Sequence, residues 1–282
     1  MKSLKPRLLT AIIGIVVLLI IIVLSEMWRP LVTILLALVT MLMIGEYLYG
    51  HKMLKTYPIS IPCMLFGSLS CLLIGLNPQK DIKYVYLLFF VFMITEFIVI
   101  IIRHEKEEYS DLTYAIIGTL IITFGTASIA YLCKTGLSLS FYFVVIFAIP
   151  WMADTGGFFV GASFGKHKLC PKISPKKTVE GAVGGVIFCI LAAVLIGFVF
   201  QFWITPDYTV RFIPLIMIGA FSAVLSIVGD LSFSLIKRSL HIKDYGNIFP
   251  GHGGLLDRLD SVLFTVPVVL IINTFLPILV KG

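Results

Sequence analysis

The stretch FPGHGGLLDRLDSVLFTVPVVLIINTFLPILV, residues 249–280, is a polar turn followed by a long apolar run. The turn and the start of the run contain a His, two Asp and an Arg. The residues that follow are almost all apolar. Charged side chains near hydrocarbon cost free energy, so such a cluster needs a reason. The junction therefore predicts a charged functional site at one end of a membrane helix.

The whole chain has the composition of an integral membrane protein. It is 59% hydrophobic and 13% charged, whereas a soluble globular protein has about 25% charged residues. Apolar runs recur at about the length that spans about 30 Å of hydrocarbon as helix. They lack the alternation typical of membrane barrel strands. We predict an all-α polytopic membrane protein with about nine transmembrane helices, at 8–24, 31–49, 59–76, 84–102, 112–132, 137–152, 183–204, 212–231 and 259–280.

The first apolar run, 8–24, has some features of a signal peptide. It follows Lys2, Lys5 and Arg7, as the apolar part of a signal peptide would follow its basic region. The next residues, SEMWRP, lack the small-residue cleavage pattern. We therefore expect this run to remain as the first transmembrane helix.

The basic residues divide unequally between the two sides of a nine-helix arrangement. With a cytoplasmic N-terminus, 16 of the 22 Lys and Arg residues fall inside and the other six fall outside. This bias obeys the positive-inside rule and predicts a C-terminus outside the cell membrane. The six outside residues are Arg29, Lys80, Lys83, Lys134, Arg211 and Lys281.

Two connections are long, and both face the cytoplasm in this topology. They are 153–182 and 232–256, and they carry specific Gly, Pro, Lys and Asp residues rather than low-complexity sequence. Ordered loops of this length are usually functional. We therefore predict a transmembrane scaffold of six spans at 1–150 and a catalytic region at 151–282, which contains both loops and the last three spans. The five Cys form no CxxC pair, so neither a disulfide framework nor a thiolate metal site is indicated.

Three carboxylates are candidates for a metal site. Asp230 lies at the cytoplasmic end of the eighth run, where a carboxylate usually has a cation or a role. Asp257 and Asp260 are spaced i, i+3 and share one face of the last helix. A favourable interaction with the helix dipole explains one Asp near the start of a helix. It does not explain both Asp257 and Asp260 together with Asp230. Hard carboxylate oxygens suit Mg²⁺ better than zinc or copper, and a second cation is left open.

The segment ISPKKTVEGAVGG supplies a candidate phosphate site. Lysines and hydroxyls at the start of a helix form a cradle for phosphate. The Walker pattern is absent, and anchoring of the chain by its positive-inside charge is the alternative interpretation. The candidate residues are Ser174, Lys176, Lys177 and Thr178.

Four further polar residues have two interpretations each. Lys237 and Arg238 belong either to the site or to an interfacial helix whose cations snorkel to lipid phosphates. His252 either contacts the substrate or orients the PGHGG turn. Asp154, just past the sixth run, is either an N-cap or a functional acid.

Two acids lie inside apolar runs. Glu46 is near the cytoplasmic end of its run, and we expect it to reach the interface. Glu96 lies deeper, and an intramembrane acid is by default a functional hypothesis. No partner for Glu96 is evident in the sequence.

Together, these groups predict phosphoryl or nucleotidyl transfer onto a lipid at the cytoplasmic membrane face. Such reactions depend mainly on positioning and on neutralisation of charge. A lipid phosphate acceptor is already ionised near pH 7, because its second pKa is about 6. A general base is then unnecessary, in agreement with the lack of a Ser–His–Asp or Cys–His set.

The stretch 232–261, SFSLIKRSLHIKDYGNIFPGHGGLLDRLDS, resembles the signature of the CDP-diacylglycerol synthases, also called phosphatidate cytidylyltransferases. The pattern S-x-x-K-R-x4-K-D-x-G-x3-P-G-H-G-G-x-x-D-R-x-D is matched without a gap from Ser234 to Asp260. The SPKKTVEG box and the Asp-Thr-Gly segment also resemble this family. The chain departs from it at Gly157-Phe158, where many relatives carry Ala-Tyr, and at Phe233, where an acid is common. Neither departure touches an expected metal ligand.

The resemblance implies that CTP and phosphatidate react, with Mg²⁺, to give CDP-diacylglycerol and pyrophosphate. It also implies a membrane-embedded homodimer, with Asp230 and Asp257 as metal ligands and Asp260 close by. The expected catalytic residues are Asp230, Asp257, Asp260, Lys237, Arg238 and His252. The expected phosphate-binding residues are Ser174, Lys176, Lys177, Thr178, Lys237, Arg238, Lys243 and Arg258. Nucleic acid is not expected as a partner.

Three other functions are alternatives to this one. A transporter would place its charges near the bilayer midplane, often on repeated halves, and neither feature is visible. A CTP-dependent polyprenol or phytol kinase would transfer the γ-phosphate to an alcohol and release CDP, and the full signature argues against it. A CDP-lipid synthase with an isoprenoid substrate remains open.

Overall fold

The computed structural model of the chain describes residues 20–21, 23, 28–135, 137–204, 208–249 and 253–281. Eight helices among these residues are long and apolar enough to cross a membrane, which confirms an all-α polytopic membrane protein. The first predicted span, 8–24, lies almost entirely outside the described residues. The helices are α1 (Arg29–Gly50), α2 (Tyr57–Leu76), α3 (Pro78–Arg103), α4 (Tyr109–Thr135), α5 (Leu139–Phe164), α6 (Val179–Val199), α7 (Phe212–Ser239) and α8 (Leu256–Phe275).

The long cytoplasmic connections predicted from the sequence are shorter in the structure. Helix α5 continues through Pro150 to Phe164, and α7 continues to Ser239. The glycines that favour a loop between α5 and α6 instead allow the two helices to pack closely. A Cβ atom on Gly185 would lie 2.9 Å from the carbonyl oxygen of Ala153. Only a hairpin remains between these helices, formed by β1 (Lys168–Cys170) and β2 (Ser174–Thr178), which pair antiparallel.

The first of two compact units comprises Met1–Thr135 and Leu240–Leu259. In it α2 packs against α1, α3 and α4. Tyr47 of α1 stacks on Tyr114 of α4 with ring centroids 4.2 Å apart, and Gly118 leaves the space for this ring. Aromatic packing therefore fixes the end of α1 that contacts residues 245–256, as described below.

The second unit comprises Gly136–Ser239 and Asp260–Gly282. In it α6 packs between α5 and α7. After α6, a π-helical turn leads to β3 (Tyr208–Val210), which pairs antiparallel with β4 (Leu279–Lys281) near the C-terminus. Asp230 lies about 27 Å along α7 from the β3 end, at about 1.5 Å per residue. Asp230 therefore lies at the end of this unit opposite β3 and β4.

The two units do not divide at the predicted boundary of 150/151. Helix α5 belongs with the second unit, while 240–259 belongs with the first. The first unit therefore contains part of the predicted catalytic region. Which segments take part in catalysis stays a prediction.

Candidate active site

Asp230 and Lys177 form an ion pair in the second unit. Lys177, near the end of β2, places its Nζ 2.6 Å from Oδ2 of Asp230 on α7. Both side chains are about three-quarters buried, with 24% and 28% of their surface exposed. From the sequence, Asp230 was predicted to bind a metal and Lys177 was predicted to bind phosphate. The structure brings the two together, so that each neutralises the other.

Asp260 adds a second carboxylate to this group. It is only 6% exposed, and its Oδ1 accepts a hydrogen bond from the N–H of Ser261 at 2.7 Å. The charges that act on it are those of Asp230, Lys237 and Asp154. Lys237 is itself 8% exposed. Buried charges persist when opposite charges compensate them, so these side chains form one electrostatic cluster.

Gly229 explains why the carboxylates of α7 and α8 come together. A Cβ atom at this position would lie 2.9 Å from the carbonyl oxygen of Asp260 and 3.0 Å from the Phe264 ring. The glycine therefore lets α8 approach α7 beside Asp230. One turn further along α7, the buried Phe233 contacts Phe264 edge to face, with centroids 6.2 Å apart. An aromatic contact between α7 and α8 thus lies at the position where relatives were expected to carry an acid.

The β1–β2 hairpin positions Lys177 through polar contacts at its base. The Oγ1 of Thr178 accepts a hydrogen bond from the N–H of Gly181 at 3.1 Å and caps α6. The Glu180 carboxylate accepts the backbone N–H of Lys166 at 3.1 Å and lies 2.6 Å from Nδ1 of His167. Glu180 and His167 were not among the residues predicted from the sequence. The signal was present, since Thr followed by an acid in the first turn is typical of a helix start.

The signature loop, residues 240–255, belongs to the first unit and is closed by Asp257. This side chain is 8% exposed, and its Oδ2 accepts the backbone N–H groups of Tyr245 at 2.8 Å and Gly254 at 3.0 Å. Gly253 has φ of +83°, which favours glycine, and its carbonyl accepts the N–H of Phe249 at 2.9 Å. Asp257 therefore shapes the loop, and its role as a metal ligand stays a prediction.

Glu46 of α1 also binds this loop, and its depth relative to the membrane interface stays a prediction. It is 8% exposed. Its Oε1 accepts the N–H of Leu255 at 3.0 Å, and its Oε2 accepts the N–H of Leu256 at 2.8 Å. These free donors at the start of α8 attract the carboxylate away from water. No local pattern reveals this contact, because its partners lie 209 and 210 residues away.

The remaining predicted residues fall into three groups. Asp154 lies inside α5, so its interpretation as an N-cap is wrong, while its electrostatic action on Asp260 keeps the functional interpretation open. His252 lies outside the described residues. Ser174 is partly exposed, and the exposed basic candidates are Lys176, Arg238, Lys243 and Arg258.

The donor chemistry of the cluster suits a hard divalent cation. Asp230 and Asp260 offer carboxylate oxygens, which Mg²⁺ prefers. Within the residues that the structure describes, no three His, Cys, Asp or Glu side chains are already arranged as a metal site. Lys177 lies against Asp230, where a metal would compete with its ammonium. The carboxylates of Asp230 and Asp260 are therefore of a type that fits the metal. In the structure, however, Asp230 is paired with Lys177.

Fold and site define a polytopic membrane protein with an acid–lysine cluster suited to phosphates. The sequence model of the Cytidylyltransferase family matches residues 5–276, and the chain belongs to this family. It is 33% identical to the phosphatidate cytidylyltransferase of Staphylococcus saprophyticus, over 93% of this chain and 96% of that protein. The enzyme of the same name from Rickettsia bellii is 37% identical over 66% of this chain and 80% of the relative. That from Bacillus subtilis is 44% identical over 47% and 46%. The resemblance of residues 232–261 is thereby confirmed.

Proposed function

We propose that this protein transfers the cytidylyl group of CTP to phosphatidate and so forms CDP-diacylglycerol and pyrophosphate. The observation that carries the proposal is similarity, over most of the chain, to proteins named phosphatidate cytidylyltransferase. A phosphate oxygen of phosphatidate attacks the α-phosphorus of CTP. The bond from that phosphorus to the bridging oxygen breaks, and pyrophosphate leaves with the electron pair.

The lysines of the cluster have the main electrostatic role in this reaction. The acceptor phosphate is ionised near pH 7, since its second pKa is about 6, so the chain does not need to remove a proton. Lys177 and Lys237 supply positive charge for the substrates and for the leaving pyrophosphate. Lys177 is about three-quarters buried and Lys237 is buried, and this strengthens the effect because the local dielectric is lower than in water. The exposed Lys176, Arg238, Lys243 and Arg258 belong to the same proposed phosphate-binding set, with the hydroxyls of Ser174 and Thr178.

Mg²⁺ is the proposed metal, and Asp230 and Asp260 would hold it. When bound, the ion would neutralise charge on the phosphates. Asp257 remains a predicted third ligand. Lys177 keeps Asp230 neutralised in the substrate-free protein and is already at the site when phosphates arrive.

The topology and assembly are further parts of the proposal. We propose nine spans in the cell membrane, a cytoplasmic N-terminus, an active site facing the cytoplasm and a homodimer. The bias of Lys and Arg supports the orientation. The pairing of β3 with β4 agrees with it, since both segments are on the outside in this topology. Labelling of single cysteines at 168 and 280 from either side of the membrane tests the orientation, which requires 168 to react from the cytoplasm and 280 from outside.

The reaction is tested on purified, detergent-solubilised protein with phosphatidate, Mg²⁺ and CTP labelled at the α-phosphate. We expect label in the lipid and an equimolar amount of pyrophosphate. Absence of label from the lipid, in a folded sample, would contradict the proposal. Release of CDP in the presence of a polyprenol would instead indicate the kinase reaction.

A further inference from the structure

We propose that Glu46 is a positioning residue, which holds the signature loop and the first turn of α8 in the geometry that the reaction requires. Glu46 lies in the predicted scaffold, far in sequence from the signature pattern. The inference rests on the proposed function only for its effect on turnover. The anchoring itself is a property of the first unit and can be measured separately.

The contact between Glu46 and the loop uses both carboxylate oxygens. Each oxygen accepts one of two consecutive backbone N–H groups, from Leu255 and Leu256. N–H groups at the start of a helix have no partner within the helix, and they carry part of its positive dipole. A carboxylate that is 8% exposed has little water available as an alternative acceptor. Loss of this contact therefore leaves charged or polar groups buried without compensation.

Two glycines of the signature pattern are shaped around the same carboxylate. A Cβ atom at Gly246 or at Gly254 would overlap the carboxylate of Glu46. The loop thus approaches the Glu46 carboxylate closely at two positions, and only residues without a side chain permit this approach. The positions of these glycines in the pattern are explained by packing on Glu46.

A second contact holds the loop to the same end of α1. Tyr245 is 1% exposed, and its ring lies 3.0 Å from where a Cβ atom of Gly50 would be. It also lies 5.8 Å from the ring of Tyr47, which is fixed by its stack on Tyr114. The loop is therefore attached to a rigid part of α1 at two points.

The consequence concerns the residues beside the anchor. Leu255 and Leu256 immediately precede Asp257, and the loop carries Lys243, so both predicted site residues move with it. A displacement of about 1 Å at an active site can lower turnover by about 100-fold. Glu46 touches the loop backbone, and we infer that it acts through the loop.

The experiment compares Glu46→Gln with Glu96→Gln in the full-length protein. Glu96 is the matched control because it is a buried glutamate of the same unit whose contact is Cys63, with Sγ 3.6 Å from Oε1. Hydrogen exchange is measured by mass spectrometry on peptides covering 253–260, and kcat and KM are measured with labelled CTP. In Glu46→Gln we expect exchange at these amides to rise by about 10- to 100-fold, since one donor loses a charged acceptor.

We expect kcat of Glu46→Gln to fall by about 10- to 100-fold, with a fall of a few degrees in the melting temperature. Glu46→Ala should lose more, because Gln keeps one acceptor oxygen. Gly246→Ala, which leaves Glu46 in place but crowds it, should raise exchange in the same peptides. Glu96→Gln should leave exchange at 253–260 within about twofold of the wild type, and Glu105→Gln, at an exposed acid outside the loop, should leave kcat within about twofold.

Unchanged exchange at 253–260 in both Glu46→Gln and Gly246→Ala would overturn the anchoring. Faster exchange throughout α1–α4 would also overturn it, because Glu46 would then be a general stabilising residue. Faster local exchange with a normal kcat would overturn the positioning role. If the wild-type protein itself formed no labelled lipid, the proposed function would fail, and the exchange result would still decide the anchoring.

Discussion

The two units use acidic side chains in different ways. In the first unit, Glu46 and Asp257 bind backbone N–H groups of the signature loop and its junction with α8. In the second unit, Asp230 and Asp260 lie among the side chains of lysines. A backbone donor cannot leave without changing the loop, whereas a lysine side chain can rotate towards an arriving phosphate. The contacts in the first unit fix the shape of the signature loop. Those in the second unit provide positive charge that can move from a carboxylate to a phosphate.

Removing charge from the lysine-paired group should have the largest effect. Asp230→Asn keeps the size of the side chain but leaves Lys177 without its opposite charge and removes a proposed metal ligand. We expect turnover to fall by about 100- to 1,000-fold, the range seen when one electrostatic group of an active site is lost. The label-transfer assay measures this effect. Glu105→Gln, at an exposed acid of the α3–α4 connection, is the control, and an equal loss in both variants would contradict the assignment.

Asp257→Asn separates loop shape from metal binding. The amide oxygen can still accept a hydrogen bond from Tyr245 or Gly254, so exchange at these amides should rise by less than about tenfold. If Asp257 is also a metal ligand, turnover should nevertheless fall by about 100-fold. Turnover close to that of the wild type would remove Asp257 from the proposed ligands and leave it as a loop residue.

Gly229→Ala tests the close approach of α7 and α8 in the second unit. The added Cβ atom meets backbone and an aromatic ring at 2.9 to 3.0 Å, so the helices must move apart. We expect a loss of about 1 to 3 kcal/mol in stability, seen as a lower melting temperature, with a roughly tenfold loss of turnover. Gly157→Ala is the control, because its Cβ atom would find its nearest neighbour at 3.5 Å. Equal melting temperatures for the two variants would contradict the packing argument.

The smallest effect is expected at the exposed surface of the hairpin. Lys176→Gln should raise the KM for CTP by no more than about fivefold, because exposed charges contribute about 1 kcal/mol or less. The difference should disappear at about 1 M salt, where the Debye length is about 3 Å. A loss as large as that of Asp230→Asn would mean that Lys176 is enclosed with the substrate.

The membrane helices were predictable because hydrophobic length is a local property. Charged partners for Asp230 and Asp260 were also predictable, since carboxylates at helix ends near hydrocarbon need compensation. The extent of α5 was not, because Pro150 and several glycines favour a break unless packing against α6 is known. The contact of Glu46 with the loop was not predictable either, for a different reason. Its partners are backbone groups, which carry no sequence signal.

The bond between Glu46 and the start of α8 also has a consequence for biosynthesis. Its acceptor is made 209 residues before its nearer donor. At about 5 to 20 residues per second, the ribosome needs about 10 to 40 s to reach that donor. Throughout this interval α1 is already in the nascent chain, but the donors that bind Glu46 have not yet been made. The first unit therefore cannot complete its packing before the first turn of α8 has been translated, and a chain truncated before α8 would leave the Glu46 carboxylate without these two backbone donors.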